Sequence, residues 1–244
     1  MNLIYLKNMG FNKLMEKITG FLEKNKGTEK VFCFDLGLID YNTAYNIQLK
    51  IFELVKSEYT PGVILLLEHN PVITIGNNRN TKNLLATMEN LKAQGIELIQ
   101  SNRGGDITFH GPGQLVCYPI FNLSYFGKDL TLFVNNLEQI IIDTLKEYKI
   151  KGTRIDKLRG VFVRNSKIAS VGLHVKKWVT MHGFSFNINL DLDYFKNIIA
   201  CGLKEHAQTS LQKILKHNVY ISDVKEQVLE KFVQIFNVKI LKAI

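Results

Sequence analysis

Cysteine is scarce in this sequence, and its three copies, Cys33, Cys117 and Cys201, include no pair at CxxC spacing. An odd, unpatterned set excludes a disulfide framework as the main support of the fold and fits a reducing compartment. Long apolar runs are missing too: no stretch approaches the ~20 residues that a membrane-spanning helix needs. The first thirty residues have no secretory hydrophobic region with a small-residue cleavage site, and they lack Arg and Ser, unlike most organellar transit peptides. Neither GxxxxGKS/T nor GxGxxG occurs, so two common glycine-based phosphate cradles are absent. His110, His174 and His182, taken with Cys117 or Cys201, show no recurring ligand spacing, so neither a metal nor a cofactor is expected.

What is present is material for a core. Of the 244 residues, 46% are hydrophobic, enough to fill one large domain with at most a small appendage. Residues 1–30 read as an N-terminal amphipathic extension and residues 31–244 as the main domain. The extension places Leu14, Ile18, Phe21 and Leu22 at helical spacing and carries six Lys against three Glu. A cytoplasmic location is expected, with an organellar leader as the alternative. The net charge of +9, from 31 basic and 22 acidic residues, has two readings. One is a Lys-rich soluble surface; the other is an acidic partner, either nucleic acid or protein.

Strand and helix signals alternate along the chain. Strands are expected at 31–37, 63–69 and 72–76, the last two separated by an Asn-Pro turn, and at 96–101 and 115–123. Asp40 is placed to cap a helix running to Lys56, a short helix near 86–94 ends at Gly95, and residues 131–148 carry the clearest helical stripe. A hairpin turning at Asn165–Ser166 precedes a further strand, 179–190, and two helices near 206–216 and 223–236 lead to a closing strand. In the 179–190 strand, alternation puts Met181, Gly183, Ser185 and Asn187 on one face, with His182, Phe184, Phe186 and Ile188 on the other. No helix within 160–190 is long enough for a parallel crossover. The expected class is therefore α+β, with a mixed, partly antiparallel sheet flanked by helices.

Four of the seventeen glycines fall in SNRGGDITFHGPGQL, residues 101–115. A strand rather than a helix follows this loop, which argues against anion binding at a helix N-terminus. A wide turn accounts for the glycines, but it does not require Arg103, Asp106 and His110 to flank them. As for a nucleophile, Cys33 and Cys117 sit in apolar strand-like runs where a thiol behaves as a small hydrophobe. Cys201, in NIIACGLKEH, is at a loop position before glycine. Lys167, His110 and His182 are all candidate activators, and spacing alone does not choose among them.

The segments RGGDITFHGPGQL, GVFVRNSKIASVG, MHGFSFNINLDL and ACG, in that order, resemble the octanoyltransferases of lipoate biosynthesis. The resemblance runs from about Val31 to the C-terminal region. It implies a fold like the catalytic domain of biotin and lipoate protein ligases, so that residues 31–244 form an octanoyltransferase catalytic domain. It also implies an activity, the transfer of an octanoyl group from acyl carrier protein to a lysine of lipoyl domains. The acceptors it implies are the lipoyl domains of 2-oxoacid dehydrogenase complexes and the glycine cleavage H protein, and no nucleic acid or membrane is involved. Carried onto this sequence, the family's nucleophile is Cys201 and its activating lysine is Lys167. The substrate-lining positions are Arg103, Gly104, Gly105, Asp106, Ile107, Thr108, Phe109 and His110, then Ser170, Val171 and Gly172, then Gly183, Phe184 and Ser185. One departure is visible: Ala200 stands where many members have Pro.

The chemistry then makes demands. A free thiol is only about a tenth ionised at pH ~7.5, and a neighbouring ammonium gains roughly tenfold in nucleophile. Most of the acceleration must come from positioning and from stabilising the oxyanion, with backbone N–H groups near Gly172 or Cys201 as candidate donors. Chain-length choice needs a closed apolar slot, which Phe109, Phe184 and Phe186 are available to wall. Arg159, Lys176 and Lys177 are candidates for a basic rim facing acidic partners. Two other readings differ in kind. An ATP-dependent lipoate or biotin ligase of the same fold would not need Cys201, and a non-catalytic nucleic-acid module would need clustered basic and aromatic residues.

Overall fold

Residues 10–78, 81–203 and 205–242 are described by the computed structural model of the chain. They form α1 (Phe11–Lys24), β1 (Val31–Ile39), α2 (Tyr41–Lys56), β2 (Gly62–His69), β3 (Val72–Ile75), α3 (Met88–Ala93), β4 (Glu97–Gln100) and β5 (Ile107–His110). After these come β6 (Gln114–Phe121), α4 (Leu130–Glu147), β7 (Gly152–Ile155), β8 (Leu158–Val163), β9 (Ser166–Lys176), β10 (Val179–Asn187), α5 (Leu211–Leu215), α6 (Ile221–Phe236) and β11 (Ile240–Lys242). Side-chain caps fix several helix starts by satisfying otherwise unpaired N–H groups. Asp40 accepts from the Thr43 amide at 2.8 Å, and Asp129 accepts from Leu132 at 2.9 Å.

The main sheet has eight strands in the order β11-β1-β2-β6-β10-β9-β8-β7. Its β11, β1 and β2 run parallel, while β2/β6, β6/β10, β10/β9, β9/β8 and β8/β7 pair antiparallel. A second sheet, β4-β3-β5, stands beside it. The continuous apolar run of β2 is explained by helices on both faces. Val63, Leu65 and Leu67 pack with Leu14, Ile18 and Leu22 of α1 and Ile47 and Ile51 of α2. Ile64 and Leu66 pack with Leu137 and Ile141 of α4 and Val228 and Phe232 of α6. The same alternation sends Val116 and Tyr118 of β6 to one side and Leu115 and Cys117 to the other.

The α+β class with a mixed sheet is as expected, and helix α1 docks on the domain with Leu14, Ile18 and Leu22 buried. The first nine residues of the expected 1–30 extension lie outside the described residues. Three local expectations are corrected. Ile107–His110, read as loop, is a strand: it pairs with β3 from Ile75↔Ile107 to Val72↔His110, so the glycines bracket a strand rather than spacing out a turn. The helix expected near 206–216 is confined to Leu211–Leu215, where the Ser210 hydroxyl accepts from the Lys213 amide. His182 does not share a face with Phe184. Its φ of 58° breaks the pleat, and its ring stacks on Tyr45 of α2, whereas Phe184 stacks on Phe232 of α6.

Candidate active site

The glycines of the 101–115 segment let backbone approach backbone. The Gly104 amide donates to the carbonyl of Leu173 on β9 at 2.8 Å. A Cβ on Gly172 would meet the Gly104 carbonyl at 2.9 Å, and one on Gly76 would meet the Gly105 carbonyl at 2.3 Å. The loop is thereby clamped between the two sheets. Arg103 braces it from inside, donating from Nε to Thr74 Oγ1 (3.0 Å), from Nη2 to the Thr74 carbonyl (2.6 Å) and from Nη1 to the Gly104 carbonyl (3.1 Å). Burial lowers the pKa of this guanidinium, but an arginine stays charged, and it forms no ion pair among the described residues. It is a fixed cation at the edge of a cavity.

That cavity has about 480 Å³ of space between its lining atoms, part of it open to solvent. Its lining includes Arg103, Gly104, Gly105, Asp106, Thr108 and His110 from the loop and β5. Ser170, Val171 and Gly172 come from β9, Gly183, Phe184 and Ser185 from β10, and Cys201 stands at its mouth. Twelve of the fourteen expected positions that line substrate therefore converge here; Ile107 and Phe109 do not. Alternation along β5 turns both into the core of the small sheet, where Phe109 stacks on Tyr194 at 4.7 Å. Phe186, also expected as a slot wall, is buried in the main core, so of the three phenylalanines Phe184 alone reaches the slot.

The slot is also lined by residues that sequence reasoning did not single out as lining: Tyr41, Val116 and Tyr118, joined by His182. Tyr41 follows a helix cap and Tyr118 lies in an unbroken apolar strand, so neither carried a local signal. Their polar atoms are mostly spent on residues around the slot: Tyr41 pairs with Ser101 Oγ at 2.7 Å, and His182 Nε2 with Asn102 Oδ1 at 2.6 Å. Tyr118 donates to His69 Nε2 at 2.8 Å while His69 Nδ1 donates to the Ile39 carbonyl. Burial holds the pKa of His69 down at about 4 and those of His110 and His182 at about 3, so all three rings are neutral near pH 7. Gln114 donates its amide N–H to Asn187 Oδ1 and to the Phe109 carbonyl, so its Oε1 accepts from His110 Nδ1 at 2.7 Å. Asn187 in turn donates to the Thr209 carbonyl, and the Thr209 amide donates to the Lys167 carbonyl. His110 thus ties the loop to the strand that carries Lys167.

Cys201 is the partly exposed one of three free cysteines. Burial pushes the Cys33 and Cys117 thiols far up, which suits their core positions. Cys201 sits in a 3-10 turn, Ala200–Gly202, with φ 55° and ψ 19°, a left-handed conformation uncommon outside glycine. The neighbouring segment 81–83 holds this turn: the Ile199 amide donates to the Asn83 carbonyl, and Asn83 Nδ2 donates to Asp106 Oδ2. Lys167 is 2% exposed and donates from Nζ to Cys201 Sγ at 3.5 Å. Its stem passes over Gly160, where a Cβ would meet Lys167 Cε at 2.7 Å, and its ammonium lies 5.6 Å from the Phe162 ring centre. Of the three candidate activators, Lys167 is the one bonded to the thiol; His110 and His182 line the slot. Arg159 borders the outer side of the site, whereas Lys176 and Lys177 lie at the distant β9–β10 turn.

Residues 40–233 match the family model of the lipoyl protein ligase A/B catalytic domain. An octanoyltransferase of Thermoanaerobacter sp. (strain X514) is 48% identical over 83% of this chain and 89% of its own length. One from Caldanaerobacter subterraneus subsp. tengcongensis is 45% identical over 84% and 89%. The chain belongs to the octanoyltransferase family. It is an enzyme of the acyltransferase class. The fold extends further: a bi-partite lipoate protein ligase of Thermoplasma acidophilum, studied with its E2 lipoyl domain, superposes with a TM-score of 0.68 at 14% identity, covering 88% of this chain and 87% of that one. No helix among the described residues is long and apolar enough to cross a membrane.

Proposed function

We propose that this octanoyltransferase takes its acyl group from octanoyl-acyl carrier protein, holds it as a thioester on Cys201, and delivers it to a lysine of a lipoyl domain. The observation that carries this reading is the 3.5 Å pair of Lys167 Nζ and Cys201 Sγ at the mouth of the slot. Sγ bonds to the thioester carbonyl carbon while the proton of the pair stays on Nζ. The carbon–sulfur bond to the donor breaks, and Nζ passes its proton to the departing sulfur. The acceptor lysine, ordinarily protonated with a pKa near ~10.4, enters as the neutral amine. It attacks the same carbon, gives its proton to Nζ, and releases Cys201 as the amide forms. One thioester replaces another in the first half, so no ATP is consumed. Backbone N–H groups near Gly172 or Cys201 stabilise the oxyanion. A reducing compartment such as the cytoplasm suits a working thiol.

Intact-mass measurement after mixing with octanoyl-acyl carrier protein is the test. The expected result is one octanoyl adduct, labile to hydroxylamine, on the wild type and none on Cys201→Ala. An adduct that persists in the variant overturns the mechanism, and a requirement for ATP in the complete transfer favours a ligase.

A further inference from the structure

Cys201 stands between two cavities. The acyl slot lies on one side. On the other is a second space of about 1100 Å³, open to solvent, walled by Leu130 and Val134 of α4, Lys157 of the β7–β8 turn, Leu158 and Arg159 at the start of β8, and Lys167. The two share Cys201, Gly104–Asp106, Val171 and Gly172, but Lys167 lines only the second. This asymmetry bears on the reaction. The acyl chain and the leaving group depart from a thioester carbonyl in different directions. With the chain in the slot, the leaving sulfur projects into the second cavity, where Lys167 can hand it a proton.

The walls of the second cavity describe its occupant. Leu130, Val134 and Leu158 give an apolar floor, and Leu130 is 41% exposed. Lys157 and Arg159 are exposed cations at the rim, and Asp106 is the single carboxylate among the lining residues. A thin, mostly neutral chain with an anionic outer end fits such a surface. We infer that this cavity is the binding site for the pantetheine arm of the donor, with Lys157 and Arg159 meeting its phosphate, and that the acceptor lysine enters by the same path once the arm has left. The inference rests on the proposed identity of the donor. It makes one vestibule serve both halves of the cycle, so donor and acceptor arms exclude each other.

A ladder of octanoyl thioesters tests it: N-acetylcysteamine, pantetheine and 4′-phosphopantetheine, with kcat/KM for acylation of Cys201 read by quenched-flow intact mass. Binding energy from a remote arm appears as rate, so the wild type gains roughly tenfold or more from the first donor to the second, and a further few-fold from the phosphate. Val134→Trp, which fills the cavity, brings the arm's gain to about onefold. Leu130→Trp, at an exposed position, does the same without touching the core. The Lys157→Glu/Arg159→Glu double variant abolishes the gain from the phosphate while the gain from the arm persists. Equal rates for the three donors in the wild type overturn the inference, and so do gains unchanged in both tryptophan variants. If the shortest donor acylates Cys201 but the arm brings nothing, the vestibule fails and the acyl-enzyme stands. If no octanoyl thioester acylates Cys201, both fall.

Discussion

At the scale of single residues, chemistry and packing are separable at Lys167. The residue is buried, anchored by backbone hydrogen bonds to Ala207 and Thr209, and aimed at Cys201. Methionine matches its stem without the ammonium. Lys167→Met should therefore keep a melting temperature close to wild type while kcat/KM falls by about 10²- to 10⁴-fold, as expected for loss of a group that moves the proton. Parallel thermal melts and adduct kinetics check this, and a collapse of the fold would show the lysine to be structural instead. Gly160 is the converse case. It holds φ 115°, and a Cβ there would meet the Ala169 carbonyl at 2.3 Å as well as the lysine stem. Gly160→Ala should cost a few kcal/mol, about 2 or more, and displace Nζ from the thiol, so stability in urea and acylation rate fall together. The role of Lys167 came from the family resemblance; that Gly160 makes room for it was invisible, because a glycine on a strand has no pattern that names the side chain crossing it.

At the scale of elements, the buried histidines at and behind the slot behave as a group. His69, His110 and His182 come from β2, β5 and β10, and burial lowers all three from an ordinary 6.5 to about 4, 3 and 3. Burial is the main cause, and basic neighbours add to it for two of the rings: His110 faces His69 and Arg103, and His182 faces Arg103, His174 and His69, whereas Asp40 and the Ile39 carbonyl partly offset it at His69. With depressed folded-state values the unfolded chain binds protons first as pH falls. Stability is then fully present above about pH 6.5 and is lost as pH drops from there toward about 3, at up to ~1.4 kcal/mol per pH unit per histidine. Urea titrations between pH 7 and 4 should show that decline, and His182→Gln should flatten it. A stability that is level across this window would contradict the buried neutral rings. Helix α1 supplies a second test. It precedes the family match at residue 40, yet Ile18 is fully buried against the sheet. Ile18→Ala should cost about 2–5 kcal/mol, read as a lower urea midpoint, while Cys201 acylation at low temperature persists.

At the scale of the whole molecule, the net charge of +9 should appear in kinetics rather than in stability. With an acidic carrier protein as donor, kcat/KM should fall several-fold between 50 and 500 mM salt, and with neutral octanoyl-N-acetylcysteamine it should stay level. Equal salt dependence for both donors would mean that the charge plays no part in encounter. The sequence by itself determined the mixed α+β class, the cap of α2, the spans of α2 and α4, and the apolar runs that become strands covered on both faces. These are local matters of period and turn chemistry, readable wherever one face or both must be buried. Its motifs also marked Cys201 and the segments around the slot. Residue spacing left Lys167, His110 and His182 open and the resemblance pointed to Lys167; only the tertiary structure shows the contact itself, because residues 34 positions apart meet in space in a way that no spacing encodes. It also turned Ile107 and Phe109 into the core, added Tyr41 and Tyr118 to the slot, and opened a second cavity behind the thiol. A cavity belongs to no segment: it is the space left where several packed elements fail to touch.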